Sequence, residues 1–295
     1  MAAVDFGTNP STTTTYNDTV YSAIIADIVL DALMATVVTP PLMRHFDLRG
    51  QASKAVDIPK ADKFTAAALT EGTEVANTAL TTGKATLTAA EIGIMATVTD
   101  VLEVSDIPAA HGARLRQLGR SLGDKLDVDI TALFVNLNGG TAVGSTTVDL
   151  TLANILSAIF TLEAADAPKP YVSVFHPVQI ADLRSGLNSA SNAPYQSQGI
   201  RSGTQELGPA GNGFAGEWFG LPTYFSTNVP TANAAADRAG GVFSVNYALG
   251  MVEKWAAKIV PMYWPPIRGW VLVATAMYGV GEIEDSAGVP VVTDA

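Results

Sequence analysis

The chain has 295 residues, a net charge of −11, 48% hydrophobic residues and no cysteine, which excludes wholesale disorder, disulfides, thiol nucleophiles and thiolate-bound zinc. Its acidic balance argues against a surface that works mainly by gripping phosphates. Only 15% of its residues are charged, against about 25% in ordinary soluble proteins, so its surface is either covered by other subunits or solvated by Thr, Ser, Asn and Gln.

The start, MAAVDFGTNPSTTTTYND, has neither the basic nor the apolar region of a signal peptide. The best apolar run, Gly269 to Gly281, has 13 residues, short of the about 20 that span a membrane. A soluble protein made in a cytoplasm is therefore expected. Residues 1–20 are polar and read as a docking arm. From Val20 to Val38, Ile24, Ile25, Ile28 and Leu33 recur at helical spacing with Asp27 and Asp31 on the polar side, and Pro40-Pro41 ends that helix. Ala55–Lys60 reads as a short strand. Residues 61–90 run on Thr, Ala and Gly around Glu71-Gly72, a long loop of the kind that has a job. Strand character returns at Lys84–Leu87 and Ile92–Val104, giving an extended hairpin. With few large apolar residues, such a hairpin cannot bury itself in its own subunit and is expected to lie on a neighbour.

A long helix follows, opened by Ser105 or Asp106 with Pro108 in its first turn. Leu115, Leu118, Leu122, Leu126, Ile130, Leu133 and Leu137 form one apolar stripe along it. Arg116 and Arg120 are like charges four apart. Asp124 is placed to relieve Arg120, which leaves Arg116 either solvated or paired with a carboxylate elsewhere. After a Gly/Thr loop (138–147), Leu152, Ile155, Leu156, Ile159 and Phe160 mark an amphipathic helix stopped at Pro168 and Pro170. Tyr171–Phe175 is a strand, and Pro177 opens a short helix to Gly186. Residues 187–217 read as another long loop. Strands resume at Leu221–Ser226, Val242–Tyr247, Met251–Ile259 and Trp270–Tyr278.

A search for chemistry finds little. His45, His111 and His176 share no metal spacing and read as structural. There is no nucleophile elbow, and Gly83-Lys84 lacks the rest of a phosphate-binding loop. Gly211-Asn-Gly213-Phe-Ala-Gly216 fits the dinucleotide pattern but lies between a loop and a strand, not between a strand and a helix. The turn Glu282-Ile-Glu284-Asp285 reads as a solvated strand end rather than a cation loop. No catalytic, cofactor or metal site is expected.

The serial order of parts resembles the major capsid proteins of tailed bacteriophages, the Hong Kong 97-type fold. The match runs from the polar arm and the Val20–Val38 helix through strand Ala55–Lys60 and the extended loop with Glu71-Gly72. It continues through a return strand ending Val101-Leu-Glu-Val-Ser-Asp106, then the Leu-striped spine helix, then Tyr171-Val-Ser-Val-Phe-His-Pro177. Phe219-Gly-Leu-Pro-Thr-Tyr-Phe-Ser226, Gly241–Tyr247 and Arg268–Tyr278 complete it.

The resemblance implies an α+β fold in four parts: an N-terminal arm and helix (1–50), an extended loop (51–100), a peripheral domain (101–150 with 249–295) and an axial domain (151–248). It implies a shell subunit whose partners are copies of itself in pentamers and hexamers. A separate scaffolding protein, a portal and a decoration protein are the further partners. The shell would form in the host cytoplasm, become the virion capsid and enclose double-stranded DNA without reading its sequence. Glu71, Gly72, Arg114, Arg116, Arg120 and Arg268 are the subunit-contact candidates. Other readings remain open: an encapsulin-like compartment shell, a surface-layer or adhesin module, and an enzyme using Glu71 or an acidic pair.

Overall fold

The structure is a computed structural model that describes residues 38–61, 66, 68–69, 71–72, 74, 82–101, 108–187, 213–233 and 236–294. The expected helix at 20–38, the helix cap at Ser105 or Asp106 and most of the loop at 187–217 fall outside these residues.

Two sheets carry the fold. The first takes β1 (Arg44–Asp47), β4 (Ala90–Thr99), β10 (Leu249–Trp264) and β11 (Gly269–Glu282) in the order β1-β10-β11-β4. The second takes β5 (Tyr171–Phe175), β6 (Phe214–Trp218), β7 (Leu221–Phe225), β9 (Asp237–Ser244) and β12 (Gly288–Asp294) in the order β12-β9-β5-β7-β6, with the short β8 (Thr231–Ala232) on β9. Between β1 and β4 in sequence, β2 (Ala55–Ala61) and β3 (Thr82–Thr88) pair antiparallel as a separate two-stranded hairpin.

Three helices pack on these sheets. The longest, α1 (Pro108–Thr131), continues as a 3-10 segment, Ala132–Gly140. Along it Leu118, Leu122, Leu126, Ile130 and Leu137 are buried, as the stripe predicts. Leu118 and Leu122 press on Val98, Ile259, Leu272 and Ala274 of the first sheet. Lower down, Leu126, Ile130 and Phe134 meet Val172, Val174 and Phe243 of the second sheet and Met251 and Tyr278 of the first. One helix face thus closes a core shared by both sheets. The helical path breaks where Leu137 turns extended and Asn138 takes a φ of +52°.

The second sheet is covered on its other face by α2 (Leu152–Ala164) and α3 (Pro177–Leu187). Thr151 caps α2 by accepting the Asn154 N–H at 3.3 Å. With helices or core on both sides, all five residues of β5 are buried, the burial expected of a central strand rather than a half-solvated one.

Several expectations need correction. The return strand does not run on to Val104: it stops at Thr99, and Asp100 and Val101 are helical. Of the two strands read there, β3 lies in the hairpin with β2 and β4 in the first sheet. The hairpin is not wholly unburied in its own subunit, because Leu87 and Ala89 pack against Leu48, Val252 and Met277. Gly279 permits this: a Cβ there would lie 2.1 Å from the Thr88 carbonyl oxygen. Phe214–Trp218 is a strand, not loop, held by pairing with β7. Helix α2 ends at Ala164, before either proline. The segment 249–295, expected as one piece, divides between the sheets, since β12 pairs with β9 across Gly288–Asp294. Among the described residues no helix is long and apolar enough to cross a membrane.

Candidate functional site

The six contact candidates fall in three places: the Glu71-Gly72 turn, the helix α1 with Arg114, Arg116 and Arg120, and the turn with Arg268. Glu71 and Gly72 form an exposed turn; Gly72 has a φ of +81° with open space where a Cβ would sit, a left-handed position that glycine fills without strain. Arg116 and Arg120 are exposed on α1, and neither has an ion-pair partner among the described residues. Arg114 belongs to the same helix, but its side chain lies outside the described set. The expected Arg120–Asp124 pair is not made; the helix instead joins Lys125 to Asp129 at 2.5 Å. Arg268 lies at the turn between β10 and β11 with a φ of +50°, a conformation that costs a non-glycine residue about 1 kcal/mol.

Four further ion pairs lie elsewhere on the surface. Arg49 pairs with Glu253, Lys84 with Asp57 at 2.7 Å, Lys169 with Glu163 at 2.8 Å and Lys60 with Glu284 at 3.8 Å. These are surface pairs, screened by solvent, and contribute little to stability. The acidic turn after β11 is not a free solvated end. Asp285 accepts the Gly139 N–H at 3.0 Å, and burial, then the Asp285 charge, raise the Glu282 carboxyl above its ordinary range while Lys60 opposes the shift.

Two structural features escaped the sequence reading. The first is Asp127, which is buried within α1. Its carboxylate accepts the Thr39 N–H and hydroxyl at 3.3 and 2.6 Å, the Ser226 hydroxyl, and the Asn228 amide at 3.2 Å. It thus ties the entering chain, the spine helix and the loop after β7 to one point. Nearby, the Tyr278 hydroxyl donates to Asp129 at 2.9 Å, and burial followed by that bond raises its pKa well above the phenol range.

The second is uncovered apolar surface. On the face of the first sheet away from α1, Met95, Val273 and Val260 are direct cross-strand neighbours, and Met262 pairs with Val271 beside them. Met95 is 61% exposed and Val260 46%. On α2, Leu156 and Phe160 stand one turn apart facing outward, Phe160 at 70% exposure. Rows of this kind mark contact surfaces more often than solvated ones. An open groove of about 370 Å³ also lies between α1 and the first sheet, lined by Pro40, Leu122, Leu126, Met251, Trp255 and Tyr278. The groove is mainly apolar, with His45, Arg49 and Glu253 also on its walls.

The histidines serve the fold where they are described. His45 Nε2 lies 2.8 Å from the Pro40 carbonyl, and His176 Nδ1 accepts the Val178 N–H at 3.3 Å. Among the described residues no group of His, Asp or Glu is placed to hold a metal ion. Gly213 and Gly216 lead into the β6–β7 hairpin rather than a helix N-terminus, so the dinucleotide pattern has no phosphate cradle there.

No protein-family model matches the chain, and no curated protein matches it. Solved structures do. A chain from Mycobacterium phage Che8 is 21% identical with a TM-score of 0.65, covering 88% of this chain and 91% of that one. The capsid asymmetric unit of cyanophage Pam1 is 13% identical with a TM-score of 0.65, covering 90% and 92%. The mature capsid of bacteriophage PhiM1 is 15% identical with a TM-score of 0.62, covering 88% of each chain. The chain therefore has the α+β fold of these phage capsid structures over nearly its whole length.

Proposed function

We propose that this chain is the major capsid protein of a tailed bacteriophage, a structural protein that assembles copies of itself into an icosahedral shell around the double-stranded DNA genome. The observation that carries this reading is the extent of the likeness, which covers about nine-tenths of the chain at TM-scores of 0.65. Exposed apolar rows on the first sheet and on α2 supply contact area of the kind a shell subunit needs.

In this reading the peripheral part comprises 101–150 with β10 and β11, and the axial part comprises 151–248 joined by β12. The β2–β3 hairpin and the segment carrying Glu71 and Gly72 reach a neighbouring copy. Arg114, Arg116 and Arg120 meet carboxylates there. The partners are other copies in pentamers and hexamers, with a scaffolding protein, a portal and a decoration protein acting on the growing or finished shell. A shell works best with many weak contacts. Millimolar ones, about 4 kcal/mol each, become decisive when a closing lattice satisfies several together. The net charge of −11 suits a wall that encloses DNA without adhering to it.

The test is to express the protein alone, concentrate it across a range of salt, and examine it by negative-stain electron microscopy with light scattering. Closed shells, rings or open sheets are the expected result. A monodisperse monomer at every condition overturns the reading. Nucleic acid inside shells recovered from an infected host separates a virion from a compartment that encloses enzymes.

A further inference from the structure

The two longest strands, β10 and β11, end together in Tyr263-Trp264-Pro265-Pro266-Ile267-Arg268-Gly269-Trp270. Pro265, Pro266, Ile267 and Arg268 are all exposed, and Arg268 is the only charge among these eight residues. The turn closes through the Ile267 N–H on the Trp264 carbonyl and the Arg268 N–H on the Pro265 carbonyl, both at 3.1 Å. Arg268 occupies the left-handed position of that turn, where glycine or asparagine would be at ease. Turn geometry therefore does not account for an arginine here.

What the arginine adds is a guanidinium with no ion-pair partner among the described residues. Beside it stands a matching charge. The Asp100 N–H donates to the Arg268 carbonyl at 2.9 Å, fixing the end of β4 against the tip. The Asp100 carboxylate accepts the Tyr263 hydroxyl at 2.7 Å and makes no ion pair with a described residue. The Tyr263 ring is braced edge-on by Trp270, with centroids 5.5 Å apart, so the carboxylate is held in one orientation. Met262, Tyr263 and Ile267 leave apolar surface around both charges. One tip thus presents a cation and an oriented anion, neither in an ion pair among the described residues, within a largely uncharged, apolar surround.

We infer that this tip docks against the same tip of another copy of the chain, Arg268 of one copy pairing with Asp100 of the next. The occupant follows from charge complementarity: a surface carrying one charge of each sign, neither paired with a described residue, is complementary to itself. Each tip gives one guanidinium and receives another, so the contact repeats around a symmetry axis without a second kind of surface. The apolar surround excludes water from the pair, which makes it worth more than an exposed one. This inference rests on the shell reading and names one of its contacts.

The experiment compares wild type with Arg268→Asp, Asp100→Arg and the double exchange by light scattering and electron microscopy. Arg268→Asn is added because it relaxes the turn while removing the charge. Each single reversal is expected to raise the concentration needed for assembly about tenfold or more, and the double exchange to restore it to within about threefold. Arg268→Asn is expected to weaken assembly while the unassembled subunit melts no lower than wild type, a pairing of effects that a merely structural arginine would not give. If wild type assembles and the variants assemble equally well, or if the double exchange is no better than the worse single reversal, the tip contact is overturned and the shell reading stands. A wild type that never assembles overturns the shell reading and this contact with it.

Discussion

Removing the Asp127 carboxylate tests whether the point joining spine helix, entering chain and second sheet holds the subunit together. Asp127→Ala strips the acceptor from four donors. Three of them belong to residues with almost no exposure, Thr39 at 1% and Ser226 at 5%; the Asn228 amide is only half-buried and can turn to water. A buried donor left unsatisfied costs about 1–3 kcal/mol. Hydroxyls can rotate to other acceptors, so the low end applies to each, and the sum is about 3 kcal/mol. At about 2–4 °C per kcal/mol for a chain of this size, melting should fall by about 6–12 °C. Asp127→Asn keeps one acceptor oxygen and should lose about half as much. The assay is urea unfolding of the unassembled subunit, followed by tryptophan fluorescence, with the midpoint shifting and the slope unchanged. A loss below about 0.5 kcal/mol for Asp127→Ala, the range of an ordinary surface change, would refute the reasoning.

Two further outcomes are expected. Burial, then the Arg238 charge, lowers the His176 pKa, so the folded state binds that proton more weakly than the unfolded chain does. Stability should therefore fall as pH drops below about 6.5, more steeply in wild type than in His176→Asn; parallel pH profiles for the two proteins would contradict this. Gly279→Ala places a Cβ 2.1 Å from the Thr88 carbonyl oxygen and should cost more than about 3 kcal/mol or prevent folding. Gly72→Ala, strained only in its own φ, should cost about 1 kcal/mol; equal effects in urea unfolding would count against the close-approach argument.

The parts of this fold that were readable in the sequence are those whose signal is local and periodic. The leucine spacing from Leu118 to Leu137 encodes α1 because one face of one helix meets a continuous core. Tyr171–Phe175 was readable as a strand because every residue in it is buried. What was missed depends on partners distant in sequence. Arg44–Asp47 is too short and polar to announce a strand and becomes one by lying parallel to β10. Gly288–Asp294 contains a proline, which a strand tolerates at an edge position. Asp127 looks like any polar helix residue until Thr39 and Asn228, 88 and 101 residues away, converge on it. The exposed apolar surface was the least legible: Met95, Val260 and Phe160 stand out only once it is known which face each element turns outward.

The placement of β12 has a consequence for biosynthesis. Its partner β9 ends at Ser244 and β12 begins at Gly288, with the whole β10–β11 hairpin made in between. The second sheet therefore waits, with one edge open, until the ribosome has passed residue 294 and released it. A chain interrupted after β11 but before β12 has the spine helix and the first sheet but lacks Val289 and Val291, both buried under α2 in the finished molecule. Truncated products would be marked by an unfinished edge, an exposed stretch that favours capture by chaperones or proteolysis. The second sheet is thus completed only after the β10–β11 hairpin of the first has been made, an order set by the place of β12 in the chain.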